Sequence, residues 1–440
     1  MYEKLNRELQ KLIKIGITLS KRGFFHIIAS STIIYIVNFM SAIFLPRVIS
    51  SKAEYGLLVY VDNIRSYIVI LSGIGLAHAT LRYVSRTKDE ASRKGVLKYT
   101  NHIGILMTLG IVLISICVFF LIDFPFTNAR SYLMIMSFIP LLIFIMDNQQ
   151  LFLRGSFQNK HYSLIAFIYT SLMVVLQISF GYLFGIMGVA AGRYLAILIS
   201  IAIGYRIIKK NFDTKIEPIM PSEIEKKKII KLGLILMLSN STSILIQLNE
   251  VFMLGILLKD QNLLADYKVA SYILVISTFF VQSIAMFIYP YFSKHSTDKI
   301  WIWRNYKKVI FYNSILILPL HLMLYIFAEP FLSIVFGNQY TSALPILRIF
   351  LIASLSQTLF RMISGNVLAA IGEEKYNLKI NIFSIFIHLA VDYWAITTFG
   401  IYGAAVALAI VYFISGLLLI LHLIKVVKNA TVTTEVTAKI

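Results

Sequence analysis

Residues 162–208 read YSLIAFIYTSLMVVLQISFGYLFGIMGVAAGRYLAILISIAIGYRII. Two apolar stretches, 162–182 and 188–208, are each long enough to cross a bilayer, which takes about 20 mostly apolar residues. They are joined by Phe184-Gly185-Ile186-Met187-Gly188-Val189-Ala190-Ala191. The same turn returns as Phe399-Gly400-Ile401-Tyr402-Gly403-Ala404-Ala405-Val406, again between two apolar stretches. A transmembrane hairpin repeated in this way predicts a membrane protein built of two similar halves.

Other pairs keep the same order. Ser30-Ser31-Thr32 with Asn38 matches Ser241-Thr242-Ser243 with Asn249. Arg154-Gly155 followed by Lys160 matches Ile371-Gly372 followed by Lys375. Scanning outward gives spans near 24–45, 55–79, 101–122, 131–152, 162–182, 188–208, 231–255, 265–289, 309–328, 344–369, 377–398 and 402–424. The fold class is therefore all-α membrane, with about twelve transmembrane helices in two six-helix lobes. Six spans per half is an even number, so both halves enter the membrane alike. That makes a parallel repeat with a pseudo-two-fold axis along the membrane normal.

Composition agrees. Of the 440 residues 58% are hydrophobic and only 14% are charged, against about a quarter charged in soluble domains. The formal net charge of +20 would suggest nucleic acid in a soluble protein. Here its placement explains it. Counting residues at span ends with the loop they adjoin, about 32 of the 41 Lys and Arg fall in alternate loops, against Arg47, Lys52, Arg130 and Lys259 on the other side. Basic residues collect in cytoplasmic loops, so both termini are expected in the cytoplasm and no nucleic-acid partner is expected. The expected organisation is an interfacial amphipathic helix over 1–22, a lobe over 23–208, a cytoplasmic linker over 209–230, a second lobe over 231–424 and a cytoplasmic tail over 425–440.

Motifs for catalysis are missing from the sequence: it holds no P-loop, HExxH, CxxC or Gly-x-Ser-x-Gly pattern. An enzyme is not expected, nor a cofactor. His26, His78, His321 and His388 are scattered without ligand spacing, and no metal site is expected. The informative residues are ionisable side chains inside spans, where each costs about 2.5–3.5 kcal/mol unless it meets a partner or a wet cavity. Arg65 and Arg361 lie deepest, and a guanidinium pairs bidentately with phosphate. They are the candidate substrate contacts, with an ion pair to Asp62 as the competing role for Arg65. Glu250 and Asp392 would couple transport to H⁺ or Na⁺, or serve as counter-ions. Asp62, Asn38, Asn249 and Arg193 complete the candidate cavity lining.

Taken together, Tyr55-Gly56, the Gly73-Ile74-Gly75-Leu76 run followed by Arg82, Arg154-Gly155 with Lys160, and the two Phe-Gly-Ile-x-Gly turns resemble the bacterial O-antigen (polysaccharide) flippases. That family belongs to the multidrug/oligosaccharidyl-lipid/polysaccharide exporter superfamily. The resemblance implies two six-helix lobes around a cationic cavity in the cytoplasmic (inner) membrane. It implies a flippase that moves undecaprenyl-diphosphate-linked oligosaccharide from the inner to the outer leaflet by alternating access, for cell-surface polysaccharide such as lipopolysaccharide. The partners implied are the prenyl-diphosphate-linked glycan, membrane lipid and other glycan-assembly membrane proteins. One departure stands out: the spans hold five basic and five acidic residues, so a net cationic cavity does not follow from the sequence. The rivals are a cation-coupled multidrug exporter of the same superfamily and a membrane-embedded glycan polymerase or ligase.

Overall fold

The computed structural model describes residues 24–437, with side chains from 36 to 428 apart from a few positions. The expected amphipathic helix at 1–22 lies outside the described residues. Of the described residues 89% are helical and none is in a strand. The first half comprises α1 (Phe24–Val48), α2 (Lys52–Leu71), α3 (Leu76–Val84), α4 (Glu90–Leu121), α5 (Ala129–Met136), α6 (Ile139–Gly155) and α7 (Asn159–Asn211). The second comprises α8 (Glu223–Leu258), α9 (Gln261–Lys294), α10 (Lys299–Ile326), α11 (Ala328–Val335), α12 (Leu344–Leu355), α13 (Ile363–Ala370), α14 (Glu374–Phe399) and α15 (Ile401–Thr437).

Among the described residues eight helical stretches are long and apolar enough to cross a bilayer, and Ile36–Val48 and Ile244–Leu258 are shorter apolar helices. The 53 residues of α7 would run about 80 Å if straight, more than twice the hydrocarbon thickness. Gly185 breaks it with φ 58° and ψ −141°, a conformation that only glycine adopts readily. Gly400 separates α14 from α15 with φ 60° and ψ −140°. The two repeat turns thus share one backbone geometry. Three residues on, the likeness persists. A Cβ on Gly188 would lie 1.8 Å from the Phe180 carbonyl oxygen, and one on Gly403 would lie 2.0 Å from that of Ala395. With α7 read as two spans, and α2–α3, α5–α6 and α12–α13 each as one interrupted span, about twelve spans result, six in each half.

The chain divides into two compact units, residues up to Ser50 with Ile64–Asn240 and Ser51–Asn63 with the chain from Ser241 onward. One division, between Asn240 and Ser241, falls within α8 near the start of the second half, and the 51–63 piece at the start of α2 belongs to the second unit. In the first unit α1 and α6 pack along α7, and α3 packs on α6. The second span of this half is interrupted at Gly73-Ile74-Gly75, where all three residues have positive φ. The Gly73 amide donates to the Thr108 hydroxyl at 2.7 Å, which satisfies a donor that the break would otherwise leave bare. Of the expected linker at 209–230, helix covers all but 212–222. That short piece lies over the start of α4: the Ile219 amide donates to the Ala91 carbonyl at 3.1 Å, and Lys94 donates to the Asp213 carbonyl. The restart is a capping box, with the Ser222 amide on Glu225 at 2.8 Å.

In the second unit α15 packs against α12 and α14, and α9 packs against α12. Segment 51–63 is bound tightly here. Gly56 faces the Gln261 carbonyl at a spacing with no room for a Cβ. The Asn63 amide donates to the Leu248 carbonyl at 2.9 Å. Lys52 pairs with the buried Asp266 at 2.7 Å. Large apolar side chains such as Phe184, Leu121, Phe386 and Phe287 stand exposed, as lipid-facing residues of a multi-pass membrane protein do.

Candidate functional site

The second unit holds a hollow of about 320 Å³ whose walls include Gln247, Gln357, Arg361, Asn377, Asn381 and Tyr412. Arg361 reaches it because the span between α12 and α13 widens into a π-helix over Ser356–Met362. Such an i→i+5 turn inserts a residue and redirects the side chains that follow, and it recurs at functional sites. Across from it, α15 comes close at Gly416, where a Cβ would lie 2.7 Å from Phe360 Cβ and 3.0 Å from the Arg361 backbone nitrogen. The guanidinium sits 5.2 Å from the centre of the Tyr412 ring and donates to Asn381 Oδ1 at 2.9 Å. The ring face stabilises the cation, and the amide fixes its plane.

The chemistry of this wall is distinctive: among the described residues it holds one cation, several neutral amides and no carboxylate. A smaller hollow of about 100 Å³ shares Gln247, Thr278 and Gln357 with it and is lined further by Glu250, Tyr267 and Lys268. Lys268 there lies over the Tyr272 ring at 5.3 Å.

Behind Glu250 is a buried cluster. His388 Nε2 lies 3.1 Å from Glu250 Oε1, and His388 Nδ1 lies 3.1 Å from Asp392 Oδ2. All three residues are buried, and one ligand-type atom from each falls within 4.8 Å of the others. The spacing would admit a small cation. The imidazole already stands between the carboxylates, however, one ring nitrogen toward each.

The candidates from the sequence are distributed as follows. Arg361, Glu250 and Asp392 come together in the second unit with His388. Asn249 is half-buried beside Glu250 in the chain, and Asn38 is exposed on α1. Neither lines these two hollows. Asp62 acts electrostatically on the Tyr55 hydroxyl in the second unit. Arg65 belongs to the first unit, where its charge, with those of Asp147 and Arg193, reaches Tyr169. Arg193 is buried there and donates from Nε to Gln177 Oε1 at 3.2 Å.

In the sequence His388 carried no ligand spacing, and Asn377 and Asn381 did not stand out. A signal for them was present. Asn377, Asn381, Ser384, His388 and Asp392 fall at helical spacing on one face of α14, a polar stripe along an otherwise apolar span.

Comparison with known proteins agrees with this architecture. The profile of the polysaccharide biosynthesis protein family matches residues 20–296. The chain belongs to this family. A relative described as an uncharacterized membrane protein of Methanocaldococcus jannaschii is 26% identical over 433 residues, 91% of this chain and 82% of that one. A probable low-salt glycan biosynthesis flippase of Haloferax volcanii is 27% identical over 171 residues, 38% of this chain and 36% of its own. Two solved structures share the fold. One is a MATE family multidrug resistance transporter in its inward-facing conformation, with TM-score 0.76, 17% identity and coverage of 91% of this chain and 95% of that one. The other is the lipid II flippase MurJ in its inward closed conformation, with TM-score 0.69, 16% identity and coverage of 96% and 92%. The family member is thus a multi-pass membrane protein with the fold of these two structures.

Proposed function

We propose that this family member is a flippase that moves undecaprenyl-diphosphate-linked oligosaccharide from the cytoplasmic to the outer leaflet by alternating access. The observation that carries the reading is the Arg361 hollow. A diphosphate asks for a guanidinium with donors to spare. Among the described residues the Arg361 guanidinium makes one hydrogen bond, to a neutral amide. A sugar asks for neutral donors and acceptors, and the amides of Gln247, Gln357, Asn366, Asn377 and Asn381 line the same hollow. A lipophilic drug cation would ask for an exposed carboxylate beside aromatic rings. The polyprenyl tail would stay in lipid, and Arg65 would hold phosphate in the first unit. Both termini would lie in the cytoplasm, and glycan-assembly membrane proteins would be its neighbours.

The test is complementation. In a strain whose surface glycan depends on this chain, the Arg65→Ala/Arg361→Ala double variant should reach the membrane at normal levels and restore no surface glycan. Full restoration overturns the reading. The buried acidic pair Glu250 and Asp392 favours a second reading, a cation-coupled multidrug exporter. It would require overexpression to confer resistance to lipophilic cations, with the Glu250→Gln variant losing it.

A further inference from the structure

The Glu250–His388–Asp392 cluster is not needed to hold a glycan phosphate, and its arrangement is unusual for a purely structural one. Asp392 is 0% exposed, yet neither of its side-chain oxygens has a hydrogen-bond donor among the described residues. An ionised carboxylate is not stably buried in that condition: it needs a donor, a counter-charge or a proton. Its neighbour His388 stands 3.1 Å from each carboxylate, one ring nitrogen to each. A neutral imidazole has one N–H and can donate to one side only; the protonated ring donates to both. The contact to Glu250 meets hydrogen-bond geometry. The contact to Asp392 does not, so Nδ1 is left without a partner. The cluster as it stands has a place for one more proton.

The surrounding charges fix what that proton does. Facing the cluster are Glu250 from α8, Tyr267 and Lys268 from α9, Arg361 from the π-helix, Asp392 on the histidine's own helix and Tyr412 from α15. The Tyr267 hydroxyl is within electrostatic reach of both Glu250 and Asp392. Tyr412 feels Arg361 and Glu250 together, and Arg361 acts on His388 directly. Lys268 is turned onto the Tyr272 ring. Taking Arg361, Glu250, Asp392 and a neutral His388, the group carries one net negative charge. One proton makes it neutral, the state a bilayer interior favours. A phosphate laid on Arg361 cancels the arginine's contribution and returns the group to net negative, so a proton is then held more firmly. Linkage is reciprocal: the proton must strengthen phosphate binding by the same factor.

We propose that Glu250, His388 and Asp392 form an exchangeable proton site positively linked to anion binding at Arg361. The glycan phosphate and the proton are loaded together in one conformation instead of displacing one another. The proton then offsets part of the charge that the phosphate carries through the low-dielectric interior. This rests on Arg361 being the phosphate contact.

The test uses the purified full chain in detergent and farnesyl diphosphate, a short soluble polyprenyl diphosphate. Calorimetric titrations from pH 5.5 to 8.5, in buffers of different ionisation enthalpy, give both Kd and the protons exchanged. Asp392→Asn and Glu250→Gln variants, run in parallel, subtract the ligand's own titration. The wild type should take up about one proton more than either variant. Its Kd should weaken by up to about tenfold per pH unit as pH rises, beyond the dependence seen in the variants. Equal proton exchange in wild type and both variants, or proton release specific to the wild type, overturns the linkage while leaving the phosphate reading intact. Failure of the wild type to bind, or undiminished binding by Arg361→Ala, overturns the phosphate reading and the linkage with it.

Discussion

Arg361 concentrates the residue-scale argument. Its guanidinium is held on one side by the Tyr412 ring and on another by Asn381, so its plane is set before a ligand arrives. Pre-organisation of this kind lowers the entropy lost on binding. Arg361→Ala should therefore cost about 2–5 kcal/mol of ligand binding, roughly 30-fold or more in Kd. Arg361→Lys keeps the charge but loses the planar fork, and it should recover only part of that affinity. Titration of the two variants with farnesyl diphosphate checks both, and equal affinities for wild type and Arg361→Lys would show that charge alone is read. The depth of Arg361 and its residue type were legible from the sequence, because an arginine inside an apolar span stands out at once. Its partners were not. Asn381 and Tyr412 lie on two other helices, and the π-turn that aims the guanidinium leaves no mark in hydropathy. His388 was obscured for a related reason. A single histidine in an apolar span signals little until Glu250, far away in the chain, is brought to its other ring nitrogen.

At the scale of elements, the repeat turns carry the strongest constraint. Gly185 and Gly400 share one positive-φ geometry, and Gly188 and Gly403 each press against a carbonyl oxygen of the preceding helix. The oxygen belongs to a helix backbone and cannot swing aside as a flexible side chain would. Gly188→Ala and Gly403→Ala should each destabilise the chain by roughly 1–3 kcal/mol or more, the usual cost of overpacking. Thermal unfolding in detergent should show a lowered Tm for both, of similar size. A drop for one alone would mean that the two turns are alike in sequence and different in load. Gly110, with nothing within 4 Å of a Cβ, is the control, and Gly110→Ala should leave Tm near wild type. The hairpin itself was readable from sequence because small residues at fixed spacing between two apolar runs have few other uses. The interruption at Gly73-Ile74-Gly75 was not readable, because two glycines so placed suit close helix packing as well as a bend. Its three consecutive positive φ values depend on the Thr108 hydroxyl, which the chain supplies from a different helix.

For the whole molecule, charge asymmetry and span count make one joint prediction. Three spans lie between the loop at Thr127 and the linker at Thr214, those formed by α5–α6 and by the two parts of α7. An odd number puts the two positions on opposite sides of the membrane. The lysines around the linker predict a cytoplasmic side for it, since loops rich in Lys and Arg are retained there. Both positions are exposed, and Cys117 is the one cysteine in the sequence, so Cys117→Ser provides a clean background. In that background a membrane-impermeant maleimide should label Thr127→Cys in intact cells and Thr214→Cys only after permeabilisation. The reverse pattern would keep the count and invert the orientation, placing the Arg361 hollow in the opposite sense to the leaflets. Labelling of both in intact cells would mean an even number of crossings between them. That would contradict the reading of α7 as two spans, because a 53-residue segment that crossed once would have to leave more than half its length outside the hydrocarbon, where its exposed Tyr182, Leu183 and Phe184 would face water instead of lipid.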